Sequence, residues 1–387
     1  MDVLVFGGSF DPPHDCHVKM LRAALKKLRP ATAYIVAAHH SPLKSAAQAG
    51  GRTRLQMVRT ALRERLTNAE LKKVRVLEFE VLRNRMTYTY ETLRYLSKRH
   101  PSARLYFLLG SDTAAGFRDW KKTSEIRDLC RFIIGRRPGV ELNVEKAGLP
   151  KHAFLKGIFP DVSSTEIRAR LIITGGVSCP DLAPGVLKHI RSKKLYQTEL
   201  RARVQKLLGP GRFAHTVSMA ETSVLLARRH GMDVERAALA GMLHDVGRSV
   251  PTEKMTQYVR DNRLDVSLSS QIAKRQPMLF HAHISEDIAR RRFGVSDPDV
   301  LSAVRKHTLG DIYMSPFDRL IYTADACSPD RRFPEARRIF NSALRDIDAA
   351  FLETVKTKLG YVLRAHGWIH SSGIGLWNKL VSRDDLG

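Results

Sequence analysis

Two sets of residues in this sequence have the types and spacing to do chemistry. The first is the string Val5-Phe6-Gly7-Gly8-Ser9-Phe10-Asp11-Pro12-Pro13-His14-Asp15-Cys16-His17. It follows an apolar run and opens a helical pattern. Adjacent glycines let a backbone come close to a ligand, and a helix N-terminus offers unpaired N–H groups and a positive dipole end, suited to phosphate. His14 and His17, three residues apart, face one way at a helix start. Two imidazoles there can donate hydrogen bonds to charge building on a phosphate during transfer. Further on, Ser163-Ser164-Thr165-Glu166 precedes Arg168. Ser163 and Glu166 can form a capping box. The same geometry presents hydroxyls and N–H groups to an anion, with Arg168 one turn in.

The second set is His215, the adjacent pair His244-Asp245, His281, His307 and Asp325. A single histidine on a helix is more often surface or core than ligand. The His-Asp pair inside Leu243-His244-Asp245-Val246-Gly247-Arg248 is more specific, because it follows an apolar helix where an unpaired carboxylate is costly to bury. A metal compensates that charge. Mixed imidazole and carboxylate donors suit Fe, Mn or Zn, and six ligands are generous for one ion and suggest two.

The elements that must position these residues differ between the halves. In residues 1–195, short apolar or β-branched runs at 3–6, 33–37, 74–79, 105–109 and 132–134 suit buried strands. Helical patterns lie between them: Val18, Leu21, Ala24, Leu25 and Leu28 fall at helical spacing, and Pro30 stops that segment. Strand–helix alternation predicts a parallel sheet with helices on both faces. After Tyr196 the strand signals vanish, and runs such as 219–226 and 237–243 are helical in period. The expectation is two domains: an α/β domain over residues 1–196, a linker over 197–205 broken soon after by Gly209-Pro210-Gly211, and an all-α domain over 206–387.

Composition narrows the function classes. Of the 387 residues, 43% are hydrophobic, enough for packed cores and against wholesale disorder. No apolar run is long enough to span a bilayer, and the N-terminus reads as a strand rather than a signal peptide. Cys16, Cys130, Cys179 and Cys327 are scattered without a CxxC pair, which fits reduced thiols in a cytoplasm. The net charge of +26, larger in the first half, favours anionic partners. Nucleotides and nucleic acid both fit that charge, and solvated helix faces account for much of it.

The first string resembles the nucleotidyltransferase superfamily, with its His-x-Gly-His motif after the first strand, and in its full length nicotinate-nucleotide adenylyltransferase. The resemblance covers about residues 1–196 and extends to Thr87-Tyr88-Thr89 with Thr92, Leu109-Gly110-Ser111-Asp112 with Phe117 and Trp120, Arg137-Pro138-Gly139, and Val162 to Arg168. It implies a Rossmann-like α/β fold. It also implies that His14 and His17 are catalytic and that Gly7, Gly8, Ser9, Phe10, Lys44, Gly110, Asp112 and Arg137 contact the nucleotide. By the same resemblance Ser163, Ser164, Thr165 and Arg168 grip the ATP triphosphate, and Thr87, Tyr88 and Trp120 lie by the nicotinate ring. The implied reaction joins nicotinate mononucleotide to ATP, with Mg²⁺ on the polyphosphate, giving nicotinate adenine dinucleotide and pyrophosphate. The second half resembles the HD phosphohydrolases, in detail the small bacterial diadenosine-tetraphosphate hydrolases. Besides the six ligands it matches at Arg212-Phe213, Thr308, Gly310, Met314, Tyr322, Ala324, Pro329 and Arg331. That resemblance implies an all-α HD-domain phosphohydrolase fold, catalysis at Asp245, one or two transition metals with iron favoured, and symmetrical cleavage of diadenosine tetraphosphate to two ADP.

Four departures bear on these roles. Cys16 stands at the motif glycine, where a side chain crowds the nucleotide unless the chain around it has adapted. Pro42-Leu43-Lys44 stands where the family has Pro-His-Lys, with His39 and His40 close by. Ser328 stands where hydrolase relatives often have an acid, and Arg248 where they often have lysine. Two alternatives stay open: the same folds acting on other nucleotides, such as nicotinamide mononucleotide or phosphopantetheine, and a nucleic-acid-binding or regulatory protein with decayed sites.

Overall fold

Successive residues of the first apolar run point to opposite faces of a sheet, and both faces are covered. In the computed structural model, which describes residues 1–39, 48–157 and 159–382, this run is β1 (Asp2–Gly8). It lies in a sheet with β2 (Thr32–Ala37), β3 (Val74–Leu77), β4 (Arg104–Gly110), β5 (Cys130–Gly135) and β6 (His152–Phe154). Among the described residues the strand order is β3-β2-β1-β4-β5-β6, with every neighbouring pair parallel. Leu4 and Phe6 enter one core with Leu21 and Leu25, whereas Val3 and Val5 enter another with Leu93 and Leu96. A sheet buried on both sides needs such continuous apolar strands.

The chain leaves β1 outward through β2 to β3, then returns to pair β4 with the other side of β1. At such a reversal a crevice opens beyond the carboxyl ends of the strands. Gly7 and Gly8 end β1 and Gly110 ends β4, so both glycine-bearing turns reach the same edge. Two sheet details differ from the sequence reading. The expected strand 74–79 stops at Leu77, and Phe79–Leu82 forms a helical turn that buries Glu80. The three-residue β6 pairs only with β5 and is too short to leave a hydrophobic pattern.

The chain divides into two units, Met1–Arg168 with Ser178–Tyr196, and Ala169–Val177 with the chain from Gln197 onward. The second unit contains no strand among its described residues. Its helices include Pro210–Arg229, Val234–Leu243, His281–Phe293, Pro298–Lys306 and Pro316–Cys327, which share one apolar core. Pro210 occupies the first turn of its helix after Gly209, where proline costs no hydrogen bond. Residues 197–205, read from the sequence as a linker, instead enter the Leu200–Leu207 helix, and Leu200 and Val204 are buried in the second unit's core. That helix falls within the pattern that reads as helical from Leu200 onward, with Leu200, Val204 and Leu207 at helical spacing. No helix among the described residues is long and apolar enough to cross a membrane.

Candidate active and metal sites

His14 is the N-cap of the Asp15–Leu28 helix, and its backbone N–H donates to His17 Nδ1 at 3.2 Å. The two rings are 3.7 Å apart, and Phe10 meets His17 edge-on at 4.9 Å. A neutral His17 that accepts through Nδ1 carries its proton on Nε2, a donor. The loop before His14 is fixed from several sides. Asp11 is buried and accepts from the Gln48 and Ala49 amides at 2.8 and 3.2 Å and from Tyr196 Oη at 2.6 Å. Arg54, also buried, donates to the Ser9 carbonyl at 2.7 Å. Neither Arg54 nor Tyr196 was singled out in the sequence, since a lone arginine on a helix and a lone tyrosine give no signal.

The expected capping box is present: Ser163 Oγ accepts from the Glu166 amide at 3.1 Å, and Glu166 Oε2 accepts from the Ser163 amide at 2.9 Å. From the same Ser164–Thr174 helix, Ser164 Oγ donates to the Pro12 carbonyl at 2.9 Å and Arg168 to the Asp11 carbonyl at 2.8 Å, and Arg168 also reaches Thr165 Oγ1 at 3.2 Å. The structure thus brings Ser164, Thr165 and Arg168 to the loop that carries His14. At the end of β4, Arg137 pairs with Asp112 at 3.4 Å, and a Cβ added to Gly110 would strike the Asp112 carboxylate. Cys16 is buried, a member of the core that includes Phe6 and Phe10, and lies within electrostatic reach of Arg137 and Asp112. Burial pushes its thiol up from its ordinary value.

Thr87 and Tyr88 stand at the start of the Thr89–Arg99 helix, where Lys121 lies 4.2 Å over the Tyr88 ring. Trp120 packs on Phe107, Phe117 and Phe132. It is a core residue by these contacts, but its buried Nε1 has no hydrogen-bond partner among the described residues. Buried donors are usually satisfied, so this one is suited to a ligand acceptor. Lys44 lies outside the described residues, as do Pro42, Leu43 and His40.

In the second unit all six expected ligands are buried and converge. Each comes from a helix or its end: His215 and Asp325 from within helices, His244 and His307 just past a last turn, His281 at a first residue. Three histidines repeat one device. His244, His281 and His307 place Nδ1 against the carbonyls of Gly241, Met278 and Val304, at 2.8, 2.6 and 2.7 Å. A carbonyl only accepts, so Nδ1 carries the proton and Nε2 presents its lone pair inward. His281 Nε2 and His307 Nε2 lie 3.2 Å apart, and buried His244 Nε2 has no hydrogen-bond partner among the described residues. Converging lone pairs of this kind repel unless a cation stands among them.

The donor atoms fall into two groups, His215 with His244 and Asp245, and Asp245 with His281 and His307. Asp245 belongs to both. Its oxygens lie 3.7 Å from His244 Nε2, 3.4 Å from His281 Nε2 and 3.7 Å from His307 Nε2. Asp325 joins the first group, 3.2 Å from His215 Nε2 and 3.9 Å from His244 Nε2. The cluster therefore has the donor set and arrangement of a divalent-metal site, with Asp245 common to both groups.

Burial pushes His244 down to about 4 and His281 to about 3, so both are neutral ligands at neutral pH. Burial opposes ionisation of Asp245 and Asp325. Both are nevertheless held well below the usual carboxylate range, Asp325 by His215, Arg331 and Lys358. Arg212 and Arg248 donate to Asp245 at 2.9 and 2.8 Å, and Arg331 pairs with Asp325. Arg248 thus does at Asp245 what a lysine would do as a point charge, with a planar fork instead. Three residues went unassigned in the sequence. Asp330 accepts from His215 Nδ1 at 2.7 Å and orients it. Thr308 Oγ1 reaches both His281 and His307 Nε2 at 2.9 and 2.8 Å. Lys358 is half-buried, donating to the His307 carbonyl at 3.0 Å. His283, beside His281, belongs to neither group.

This geometry defines a nucleotidyltransferase-type sheet domain joined to a helical metal-site domain, and the comparisons agree. The cytidylyltransferase-like family matches residues 5–170 and the HD domain family residues 212–330. The protein named "Probable nicotinate-nucleotide adenylyltransferase/Ap4A hydrolase" of Mycoplasma genitalium is 24% identical over 92% of this chain and 97% of its own. The "Bis(5'-nucleosyl)-tetraphosphatase, symmetrical" of Bacillus subtilis is 30% identical, covering 48% of this chain and 97% of its own. A "Probable nicotinate-nucleotide adenylyltransferase" of Prosthecochloris aestuarii is 31% identical, covering 51% of this chain and 98% of its own. The chain belongs to the nicotinate-nucleotide adenylyltransferase family through its first half and to the HD-domain symmetrical bis(5'-nucleosyl)-tetraphosphatase family through its second.

Proposed function

We propose that this chain catalyses two reactions, adenylyl transfer from ATP to nicotinate mononucleotide in residues 1–196 and symmetrical hydrolysis of diadenosine tetraphosphate in residues 206–387. In the first, an oxygen of the mononucleotide phosphate attacks the α-phosphorus of ATP in line, and pyrophosphate leaves. His14 and His17 donate to the oxygens that gain charge, and the Asp15–Leu28 helix adds its N–H groups and dipole. Gly7, Gly8, Ser9 and Phe10 line the nucleotide with Gly110, Asp112 and Arg137, while Ser163, Ser164, Thr165 and Arg168, with Lys44, hold the triphosphate and its Mg²⁺. Thr87, Tyr88 and Trp120 bound the nicotinate ring. The paired rings 3.7 Å apart at a helix N-cap carry this reading.

In the second reaction, His215, His244, Asp245 and Asp325 would hold one metal and Asp245, His281 and His307 would hold another, with iron as the preferred ion. Bound there, such a pair neutralises phosphate charge and acidifies water. The chain's own residues do the rest. Arg212, Arg248 and Arg331 are placed to transfer their hydrogen bonds from Asp245 and Asp325 to phosphate oxygens. Asp330 and the backbone carbonyls fix the imidazoles. Water adds to one of the two central phosphorus atoms, the central bridging oxygen leaves with the other, and two ADP result. The sharing of Asp245 between two imidazole groups carries this reading. Four free, buried thiols are in keeping with a reducing, cytoplasmic setting.

The test is turnover by the full chain on a nucleotide panel. With ATP and Mg²⁺, nicotinate mononucleotide should give the dinucleotide and pyrophosphate, ahead of nicotinamide mononucleotide and phosphopantetheine. Diadenosine tetraphosphate should give ADP alone. ATP plus AMP would refute symmetrical cleavage. A salt-sensitive nucleic-acid complex without turnover on either substrate would favour a binding protein with decayed sites.

A further inference from the structure

A cavity of about 490 Å³ opens beside the metal-ligand cluster of the second unit. That volume falls within the range of small-molecule sites, roughly 300–1,000 Å³. Its lining is divided by chemistry. At one end stand Asp245, His307 and Asp325 with the cations Arg212, Arg248, Arg331 and Lys358. Elsewhere the lining includes Trp368 and Gln276, from segments far apart in sequence, among apolar side chains such as Leu279, Phe333 and Ile369. Trp368 is half-buried, packed against the second unit's core, edge-on to His370 at 5.5 Å, and has the Arg275 guanidinium 5.9 Å over its ring. His370 is itself fixed, accepting at Nδ1 from the Ser372 amide at 3.1 Å as the N-cap of the Ser371–Val381 helix. Gln276, between the Ser269–Arg275 helix and the turn Pro277–Phe280, brings a side-chain amide to the same space. Trp368 lies beyond residues 212–330, which the HD family match covers.

We infer that this wall is a base site: Trp368 stacks on the adenine of the nucleoside diphosphate moiety whose phosphates reach the metal-ligand cluster, and the Gln276 amide reads the adenine edge. The chemistry of the wall specifies the occupant. An indole that lines a water-accessible cavity offers a planar base the ring surface that Arg275 does not cover. An amide that offers two N–H donors and one carbonyl acceptor is complementary to adenine at N6 and N7. Guanine presents acceptors at both corresponding atoms and meets the amide less well. The four cations at the other end fit the polyphosphate to which the base is joined. Trp368 and Gln276 are specificity and positioning residues, not catalytic ones. This inference rests on the reading of the second domain as a nucleotide hydrolase.

The experiment uses the full metal-loaded chain and its Trp368→Ala, Trp368→Phe and Gln276→Ala variants. Binding of ADP, GDP and inorganic pyrophosphate is measured by calorimetry, and diadenosine tetraphosphate hydrolysis is measured in parallel. Trp368→Ala should weaken ADP binding about tenfold or more, raise KM while leaving kcat within about twofold, and leave pyrophosphate binding unchanged. Trp368→Phe should recover most of the loss. Gln276→Ala should bring ADP and GDP to within about twofold of each other. ADP binding unchanged in Trp368→Ala overturns the base site, even when wild-type hydrolysis is normal. Equal loss of ADP and pyrophosphate in all variants also overturns it, since that marks collapse of the cavity. If wild type binds ADP and Trp368→Ala does not, yet diadenosine tetraphosphate is never cleaved, the base site stands and the hydrolase reading falls.

Discussion

Asp245 and Glu80 are both buried carboxyls, and their surroundings drive them in opposite directions. Asp245 faces three imidazoles and two guanidiniums and is held ionised. Glu80 is pushed up to about 7, chiefly by burial, with only Thr92 Oγ1 donating to it at 2.7 Å. A raised folded-state pKa favours the protonated form. Its contribution to stability is complete below about 4.5, the ordinary value, and is lost as pH rises through about 7. Glu80→Gln should therefore flatten that loss and stabilise the chain at pH 8 by at most on the order of 3 kcal/mol. Denaturant midpoints of both forms at pH 5, 6, 7 and 8 measure this; parallel curves for variant and wild type would contradict it. Cys16 makes a second case. Because its side chain is buried in the core, Cys16→Gly should leave the KM for ATP within about twofold while costing about 1–2 kcal/mol of stability. A tenfold fall in that KM would mean that the thiol does crowd the nucleotide.

Whole elements place the metal-site histidines, and glycines set how closely those elements approach. The Gly247 amide donates to Ser285 Oγ at 2.8 Å, and a Cβ on Gly247 would lie 2.7 Å from the Ser285 nitrogen and strike the His281 carbonyl. Gly247→Ala should push the His281–Phe293 helix away, reduce bound metal to one ion per chain or fewer, and lower thermal stability. Elemental analysis with a melting curve checks it, and two ions per chain with an unchanged melt would contradict it. Much of this scale was legible in the sequence. The central strands are apolar on both faces, and the helices around His215 and Asp325 carry strong periods. Contacts made across long separations were not legible: Tyr196 on Asp11, Arg54 on Ser9, Asp330 on His215 and Lys358 on the His307 carbonyl each join residues that no local pattern links. The Leu200–Leu207 helix follows the helical period that begins at Leu200, although the same stretch also reads as part of a linker. The triphosphate segment was read both as a cap and as an anion grip. The cap is what the structure contains, and in it Ser164 and Arg168 already hold the His14 loop in place.

At the scale of the molecule, each set of site residues belongs to one unit. His14, His17, Asp112 and Arg168 lie in the first, and all six residues proposed as metal ligands lie in the second. Neither set borrows a residue from the other unit, so the two activities should be separable within the intact chain. Well-separated sites with no shared partners usually behave additively. The most direct measurement takes both activities, at fixed Mg²⁺ and with metal restored by Fe²⁺ or Mn²⁺, in three full-length proteins: wild type, His17→Ala, and His244→Ala with Asp245→Ala. His17→Ala should lose adenylyl transfer by on the order of 10²–10³ and keep diadenosine tetraphosphate cleavage. The double variant should lose cleavage and metal yet keep adenylyl transfer within about threefold. Loss of adenylyl transfer in a folded double variant, or near-wild-type transfer in His17→Ala, would contradict the account.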